Sequence, residues 1–485
     1  MSDGRPVCVG LDVGTGSARA IAVRADGAVA GRGAHPLCSR RDGDRHEQDP
    51  QSWWDASAAA CRAALEDVAP ERIGAVATCA TSGTIVLADR AGRPCGPALM
   101  YDDARAAEQA RRLDLPTSWA LPKLHWLLEH ERDAADGGRT LAHQVDVVTH
   151  RLAGHAVPTD ASHALKSGYD AAAGGWPAPL ADEFGRLLPD VVAPGTRLGE
   201  VCAAAAAATG LPRGTPIVAG MTDGCAGQIA AGALRPGDAN SVLGTTLVIK
   251  GCAHEAVEDR AHGIYSHRAP DGGWLPGGAS SSGAGALAAA FPGRDLDALG
   301  EQAAAHERTR VLAYPLVSRG ERFPFAAPDA EAFTVGTPDG DAERAAALMQ
   351  GLALVERLCL ERLERLGAPI GGELSLTGGA TRNRRWCQLR ADALGRPARL
   401  PEQTESAFGM AILATAALRA EPVADAARRM SRTRAVFEPR PAMRAHLDEQ
   451  YERLVGEFVR RGWLARAPAR WPDDGCSRAG TRARA

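Results

Sequence analysis

Val7-Cys8-Val9-Gly10-Leu11-Asp12-Val13-Gly14-Thr15-Gly16-Ser17-Ala18-Arg19-Ala20-Ile21-Ala22-Val23 carries the reading of the whole chain. An apolar strand runs into Asp12, passes a turn of Gly14, Thr15 and Gly16, and becomes a second strand. Backbone N–H groups in such a turn can cradle a phosphate. An Asp at the strand end can hold a hydrated Mg²⁺ beside it. The glycines do not make a dinucleotide fingerprint, because that motif opens a helix. Here residues 20–23 are short and apolar, Asp26-Gly27 makes a hairpin turn, and Ala28-Val29-Ala30 starts a further strand. The Gly-Lys-Ser/Thr ending of a P-loop is missing as well. A buried hairpin with an ordinary glycine turn is the competing reading at this point.

Working outward, the pattern recurs. Arg235-Pro236-Gly237-Asp238 breaks the chain, and a second strand–Gly-Thr–strand unit follows in Asn240-Ser241-Val242-Leu243-Gly244-Thr245-Thr246-Leu247-Val248-Ile249-Lys250. Two related halves, each offering one phosphate hairpin to a shared cleft, is the simplest architecture. It places an N-terminal domain over 1–236 and a C-terminal domain over 237–466. Helices are predicted over 51–68, where Asp49-Pro50 is the start signal, and over 104–113, 121–131 and 223–234. Strands are predicted over 73–79, 84–89 and 216–219, with a further element over 145–152. The Gly- and Pro-rich stretch 167–199 reads as an irregular insertion. In the second half a long amphipathic helix is predicted over 342–366, a strand over 373–377 ending in Gly378-Gly379-Ala380, and a small-residue helix over 406–418. The tail 467–485 is polar and rich in Arg, and is expected to be disordered.

At 485 residues the chain exceeds one ordinary core, which also argues for two large domains. Its 45% hydrophobic and 24% charged residues fit a soluble globular protein. A formal net charge of -3 gives no basic field for nucleic acid. No stretch has the length of a membrane span, and no charged-then-apolar leader opens the sequence. Eleven cysteines are scattered without a Cys-x-x-Cys pair and read as reduced packing residues. The expectation is a cytoplasmic protein without nucleic-acid or membrane partners.

Phosphoryl transfer needs an acceptor hydroxyl, an in-line γ-phosphate, and cations and donors that spread the charge. Asp223 follows an apolar stretch and opens a helix, where its carboxylate is placed to take a proton. Thr222 and Asp223 are equally good helix caps. Gly244, Thr245 and Thr246 can donate to phosphate or simply make a hairpin turn. Gly378 and Gly379 let the backbone approach a nucleotide closely, although a plain strand–helix turn would look similar.

Four ordered pieces resemble the FGGY carbohydrate kinases, over about residues 7–463. Asp12-Val13-Gly14-Thr15 resembles the family's first phosphate loop, and Gly220-Met221-Thr222-Asp223-Gly224 the segment with its catalytic Asp. Leu243-Gly244-Thr245-Thr246 resembles the second phosphate loop. Gly378-Gly379-Ala380-Thr381-Arg382-Asn383, with Gln388 and Ala391-Asp392, resembles the adenine-side segment, and the Glu405 and Gly409 region follows. The resemblance implies two actin-like (ribonuclease H-like) α/β domains with a nucleotide and sugar cleft between them. It implies Asp223 as the base and a substrate contact. Asp12, Gly14, Thr15, Ser17, Gly244, Thr245, Thr246, Gly378, Gly379 and Asn383 would hold ATP, with Asp12 also orienting Mg²⁺. A homodimer is compatible with it.

For the sugar, Thr81-Ser82-Gly83-Thr84 and Met100-Tyr101-Asp102-Asp103-Ala104-Arg105 look most like the D-ribulose kinase (xylulose kinase-like) branch. Asp102 stands where that branch carries Asn. Small hydroxyls at Thr81 and Ser82 would leave room for a ketose chain. Asp102 or Asp103 would accept from sugar hydroxyls, with one of them free to cap the helix at 104. His46-Glu47-Gln48-Asp49-Pro50 with Trp53-Trp54 matches a common family element and reads as structural near the cleft. The expected reaction is ATP-dependent phosphorylation of a ketopentose primary hydroxyl, D-ribulose to D-ribulose 5-phosphate ahead of D-xylulose, ribitol or glycerol. The rivals from other classes are an actin- or chaperone-like ATP switch and an inactive sugar sensor. Sugar-dependent ADP release separates them.

Overall fold

The computed structural model describes residues 6–130 and 138–465. The tail 467–485 and the last predicted residue of the 121–131 helix lie outside them. Two mixed sheets dominate. The first runs in the order Arg197–Glu200, Pro216–Val218, Ile73–Ala80, Val7–Val13, Ser17–Arg24, Val29–Pro36. Val7–Val13 pairs antiparallel with Ser17–Arg24 and parallel with Ile73–Ala80, which pairs parallel with Pro216–Val218. All seven residues of the opening strand are buried. Its apolar residues do not alternate with polar ones because both faces of the sheet are covered.

The second sheet repeats this plan. Its order is Tyr265–Arg268, Trp274–Ala279, Leu247–Gly251, Ala239–Leu243, Leu374–Thr377, Ala398–Pro401, Thr433–Phe437. Ala239–Leu243 again has an antiparallel hairpin partner on one side and a parallel strand on the other. The relation between the halves, visible in the sequence only at the two hairpins, therefore extends to strand order.

The helices follow from local chemistry. Pro50–Leu65 starts with Asp49, whose carboxylate accepts from the Gln51 N–H at 3.0 Å, and with Pro50, which needs no partner for a missing N–H. The helix predicted from 104 begins at Ala107, because the Ala104 N–H donates to the Asp44 carbonyl and the Arg105 N–H to Asp103. The insertion predicted as irregular carries a short helix, Ala178–Phe184, and small strand pieces. The helix predicted over 223–234 ends at Ala231, where Gly232 turns left-handed at φ +76°.

Ser406–Arg419 is apolar on every side from Ala407 to Ala416, and it is buried on every side. It lies against Val7–Val13 and Ile73–Ala80 of the first sheet and crosses helix Asp223–Ala231. A Cβ at Gly10 would collide with the Ala407 carbonyl, and one at Gly409 with the Ala226 carbonyl. Both glycines thus set how closely the helix approaches. The apolar cluster here joins Cys8, Ile21, Ala77 and Val218 of the first sheet to Ile229, Phe408, Ile412 and Met430.

Candidate active site

Three neighbouring parallel strands of the first sheet end together. Asp12 pairs with Cys79, and Val13 with Ala80, so Asp12 and the Thr81–Thr84 segment leave the sheet side by side. Ala80 also bridges to Thr222, which puts Asp223 beside them. In the second sheet Val242 pairs with Thr377, so the Gly244 and Gly378 turns also emerge as neighbours. The carboxyl ends of parallel strands are where open α/β sheets bind ligands.

Both Gly-Thr turns hold their carbonyls behind them. Gly14 N–H donates to Ser17, the Thr15 carbonyl takes the Gln48 amide at 2.7 Å, and the Gly16 carbonyl takes Leu37 N–H. In the second turn Gly244 N–H donates to Thr246, and the Gly244 and Thr245 carbonyls accept from Ala284 and Gly285. Anchored carbonyls leave the opposite edges of those peptides, the N–H edges, for an anion. Gln48 also accepts from the buried Trp53 indole at 2.6 Å, so the His46–Trp54 element braces the first turn. Gly378 sits at φ +87° under the second turn, and Asn383 caps helix Arg384–Leu394 by accepting Trp386 N–H at 3.0 Å.

Asp12 is buried, and burial together with the Asp223 charge pushes its carboxyl up to about 6, with Arg19 at 3.8 Å the nearest opposing cation. A buried carboxylate whose charge is opposed by burial and by a second carboxylate suits a divalent cation, which Asp12 would hold. Asp223 opens its helix with one carboxylate oxygen 2.7 Å from the Gly224 N–H. Burial pushes it above the ordinary carboxylate range, against the Gly224 N–H and the charges of Lys166, His163 and Lys250. A raised carboxylate is a better proton acceptor. The helix starting at Asp223 and the one starting at Ser406 meet at their first residues, where the Ser406 hydroxyl donates to the Asp223 carbonyl at 3.1 Å. Two converging N-termini favour anions.

The sugar-side residues divide. Thr81 is buried and its hydroxyl donates to Gln144 at 2.6 Å, so it supports the turn. Ser82 keeps a buried hydroxyl without a hydrogen-bond partner. Asp103 is fully enclosed, its oxygens taken by Arg105 and the His46 N–H at 2.7–3.1 Å. That corrects the expectation that Asp103 could reach the sugar. Asp102 keeps an exposed face while pairing with Arg41 at 2.8 Å and His46 Nδ1 at 2.5 Å.

Sequence reading missed the groups around Asp223. Asp160 caps the short helix Ala161–Ala164, and its Ser162 hydroxyl takes the Thr222 N–H at 2.9 Å. Lys166 donates to the Ser82 carbonyl at 3.3 Å and is pulled by burial to about 8. Lys250 reaches toward Gly224 and donates to His267 at 3.0 Å. Composition held a signal: of 56 basic side chains only Lys123, Lys166 and Lys250 are lysines. The charge of Lys166 is felt at Lys123, and that of Lys250 at Lys166.

The family description "FGGY family of carbohydrate kinases, N-terminal domain" matches residues 7–230, and its C-terminal counterpart matches 239–418. The chain is 30% identical to a xylulose kinase of Streptomyces coelicolor over 468 residues, covering 87% of this chain and 90% of that one. It superposes on a xylulose kinase from Rhodospirillum rubrum with a TM-score of 0.84 at 25% identity, over 94% of this chain and 98% of that one. A Brucella ovis kinase described as acting on "xyloylose" gives a TM-score of 0.87 at 24% identity, over 94% and 99%, and bears on the fold alone.

Proposed function

The chain belongs to the FGGY family of carbohydrate kinases, and from that premise we propose that it moves the γ-phosphoryl group of ATP to a primary hydroxyl of a ketopentose. The observation that carries this reading is the convergence of Asp12, Ser82 and Asp223 at three adjacent strand ends. Asp223 takes the acceptor proton. Burial raises its affinity for that proton, while the charges of Lys166 and Lys250 favour its ionised form, as a base requires. N–H groups of Gly16 and Ser17 in the first turn and of Thr245 and Thr246 in the second hold the phosphates from two sides. Gly378, Gly379 and Asn383 border the nucleotide's base end. Mg²⁺ beside Asp12 would neutralise phosphate charge. The lobes, 1–236 and 237–466, would close over the acceptor and exclude water.

Ser82 and Asp102 are the proposed sugar contacts. The Thr81–Thr84 and Met100–Arg105 segments favour D-ribulose, and the names of the relatives favour D-xylulose; the two differ only in configuration at C3. The test is coupled ADP release against both ketopentoses, other polyols and a no-sugar control, repeated with Asp223→Ala. Sugar-dependent release that falls by about 10²–10⁴-fold on substitution is the expected result. Turnover that survives the substitution removes Asp223 as the base, and sugar-independent ATP hydrolysis removes the acceptor reading.

A further inference from the structure

Lys123 is fully buried, and its Nζ lies within hydrogen-bond distance of four backbone carbonyls. They belong to Gly83 (3.3 Å), Tyr101 (3.2 Å), Thr117 (2.9 Å) and Trp119 (3.0 Å). These carbonyls come from three separate segments, two of them beside the proposed sugar contacts. Gly83 follows Ser82, Tyr101 precedes Asp102, and Thr117 and Trp119 lead into helix Ala120–His130, which carries Lys123 itself. The Trp119 ring meets Tyr265 of the other half edge-on, centroids 6.0 Å apart.

We propose that Lys123 is a positioning residue for the acceptor pocket: its ammonium ties these carbonyls together, so that Ser82 and Asp102 keep the one arrangement that binds sugar. The proposal rests on the acceptor site assigned above.

The residue type fits that task. A compact ammonium can lie inside a cage of carbonyls, whereas a planar guanidinium cannot. A chain that uses arginine almost everywhere else has lysine at this position. Losing the ammonium would orphan buried acceptors, which is costly because they cannot reach water instead. Burial and the nearby Lys166 charge pull Lys123 down to about 7, while Asp103 and Asp102 oppose them. The cage therefore weakens as pH rises through neutrality.

The experiment measures KM for sugar, KM for MgATP and kcat in wild type and in Lys123→Met, Lys123→Arg and Lys123→Gln. Thermal melting and ATP titration of each protein accompany the kinetics. Lys123→Met and Lys123→Arg are expected to raise the sugar KM by about tenfold or more, with the MgATP KM within about twofold. Lys123→Gln keeps two N–H donors and cannot titrate. Its sugar KM should rise less and stay level across neutral pH, where that of the wild type climbs.

An unchanged sugar KM in Lys123→Met, or a rise matched by the MgATP KM, overturns the inference. So does an Arg variant with wild-type sugar KM. If Lys123→Met does not fold, Lys123→Gln decides, and a pH dependence identical to wild type counts against the proposal. Wild type that turns over no sugar overturns the acceptor site and this inference together. Turnover with matched KM changes overturns this inference alone.

Discussion

Gly378→Ala and Gly379→Ala separate backbone strain from nucleotide contact. Gly378 lies at φ +87°, and a Cβ there would stand 2.5, 2.7 and 2.9 Å from the Leu243 O, C and N atoms. With ψ at 172° the residue lies in an extended positive-φ region that is essentially reserved for glycine, and an alanine held there costs about 1–3 kcal/mol. A carbon–oxygen contact relaxes at about 3.3 Å, so the turn must retreat by about 0.8 Å from the residue that precedes Gly244. Forced packing of that kind costs about 1–3 kcal/mol, for a total of about 2–6 kcal/mol. The neighbouring Gly379 is different: a Cβ there meets nothing within 4 Å. Its substitution should leave stability within about 0.5 kcal/mol. If its open side is where the nucleotide lies, the MgATP KM should still rise with the sugar KM unmoved. Urea unfolding gives the stabilities and coupled ADP release gives the two KM values. A Gly378→Ala protein as stable as wild type would refute the strain argument. A Gly379→Ala protein with an unchanged MgATP KM would refute the placement of the nucleotide.

Other consequences are equally direct. Arg390 is fully buried, pairs with Glu356 at 2.7 and 3.0 Å, and reaches Ser241 two residues before Leu243. Arg390→Met should cost about 3–5 kcal/mol in urea unfolding by stranding the Glu356 charge, and adding Glu356→Leu should recover most of it. No recovery in the double variant would show that the packing, not the stranded charge, matters. Burial raises Asp146, but the His143 hydrogen bond and the charges of His143 and His150 lower it further, to about 2 against an ordinary 3.8. This depressed carboxylate contributes about 2 kcal/mol above roughly pH 4, lost as pH falls through about 2. Asp146→Asn should flatten that acid limb of stability in a pH series of melts, and an unaltered limb would count against the pairing.

The fold was legible where short patterns carry geometry. A Gly-Thr turn between two apolar strands, met twice, implied the paired halves, and Asp49-Pro50 marked a helix start within one residue. The placement of Asp223 was legible too, because only residues 219–222 separate strand Pro216–Val218 from the helix that Asp223 opens. What stayed hidden was the spending of polar groups on distant partners. Thr81 turns its hydroxyl to Gln144, and Asp103 accepts from His46 as well as from its neighbour Arg105. Nothing adjacent in sequence tells a carboxylate facing solvent from one sealed against a guanidinium. Lys166, just before the stretch 167–199, was passed over. A lysine on a helix reads as surface until its burial is known.

Helix Ser406–Arg419 comes late in the chain, yet it is the cover for the inner face of the first sheet. During synthesis that sheet must wait, with Cys8, Ile21, Ala77 and Val218 bare, until residues far downstream leave the ribosome. The two halves are thus consecutive in the gene and interleaved in folding. A fragment ending near residue 236 is expected to be sticky and dependent on chaperones, and soluble again when the second half is supplied in trans. The intact protein is expected to melt as one cooperative unit, even though its strands count out as two.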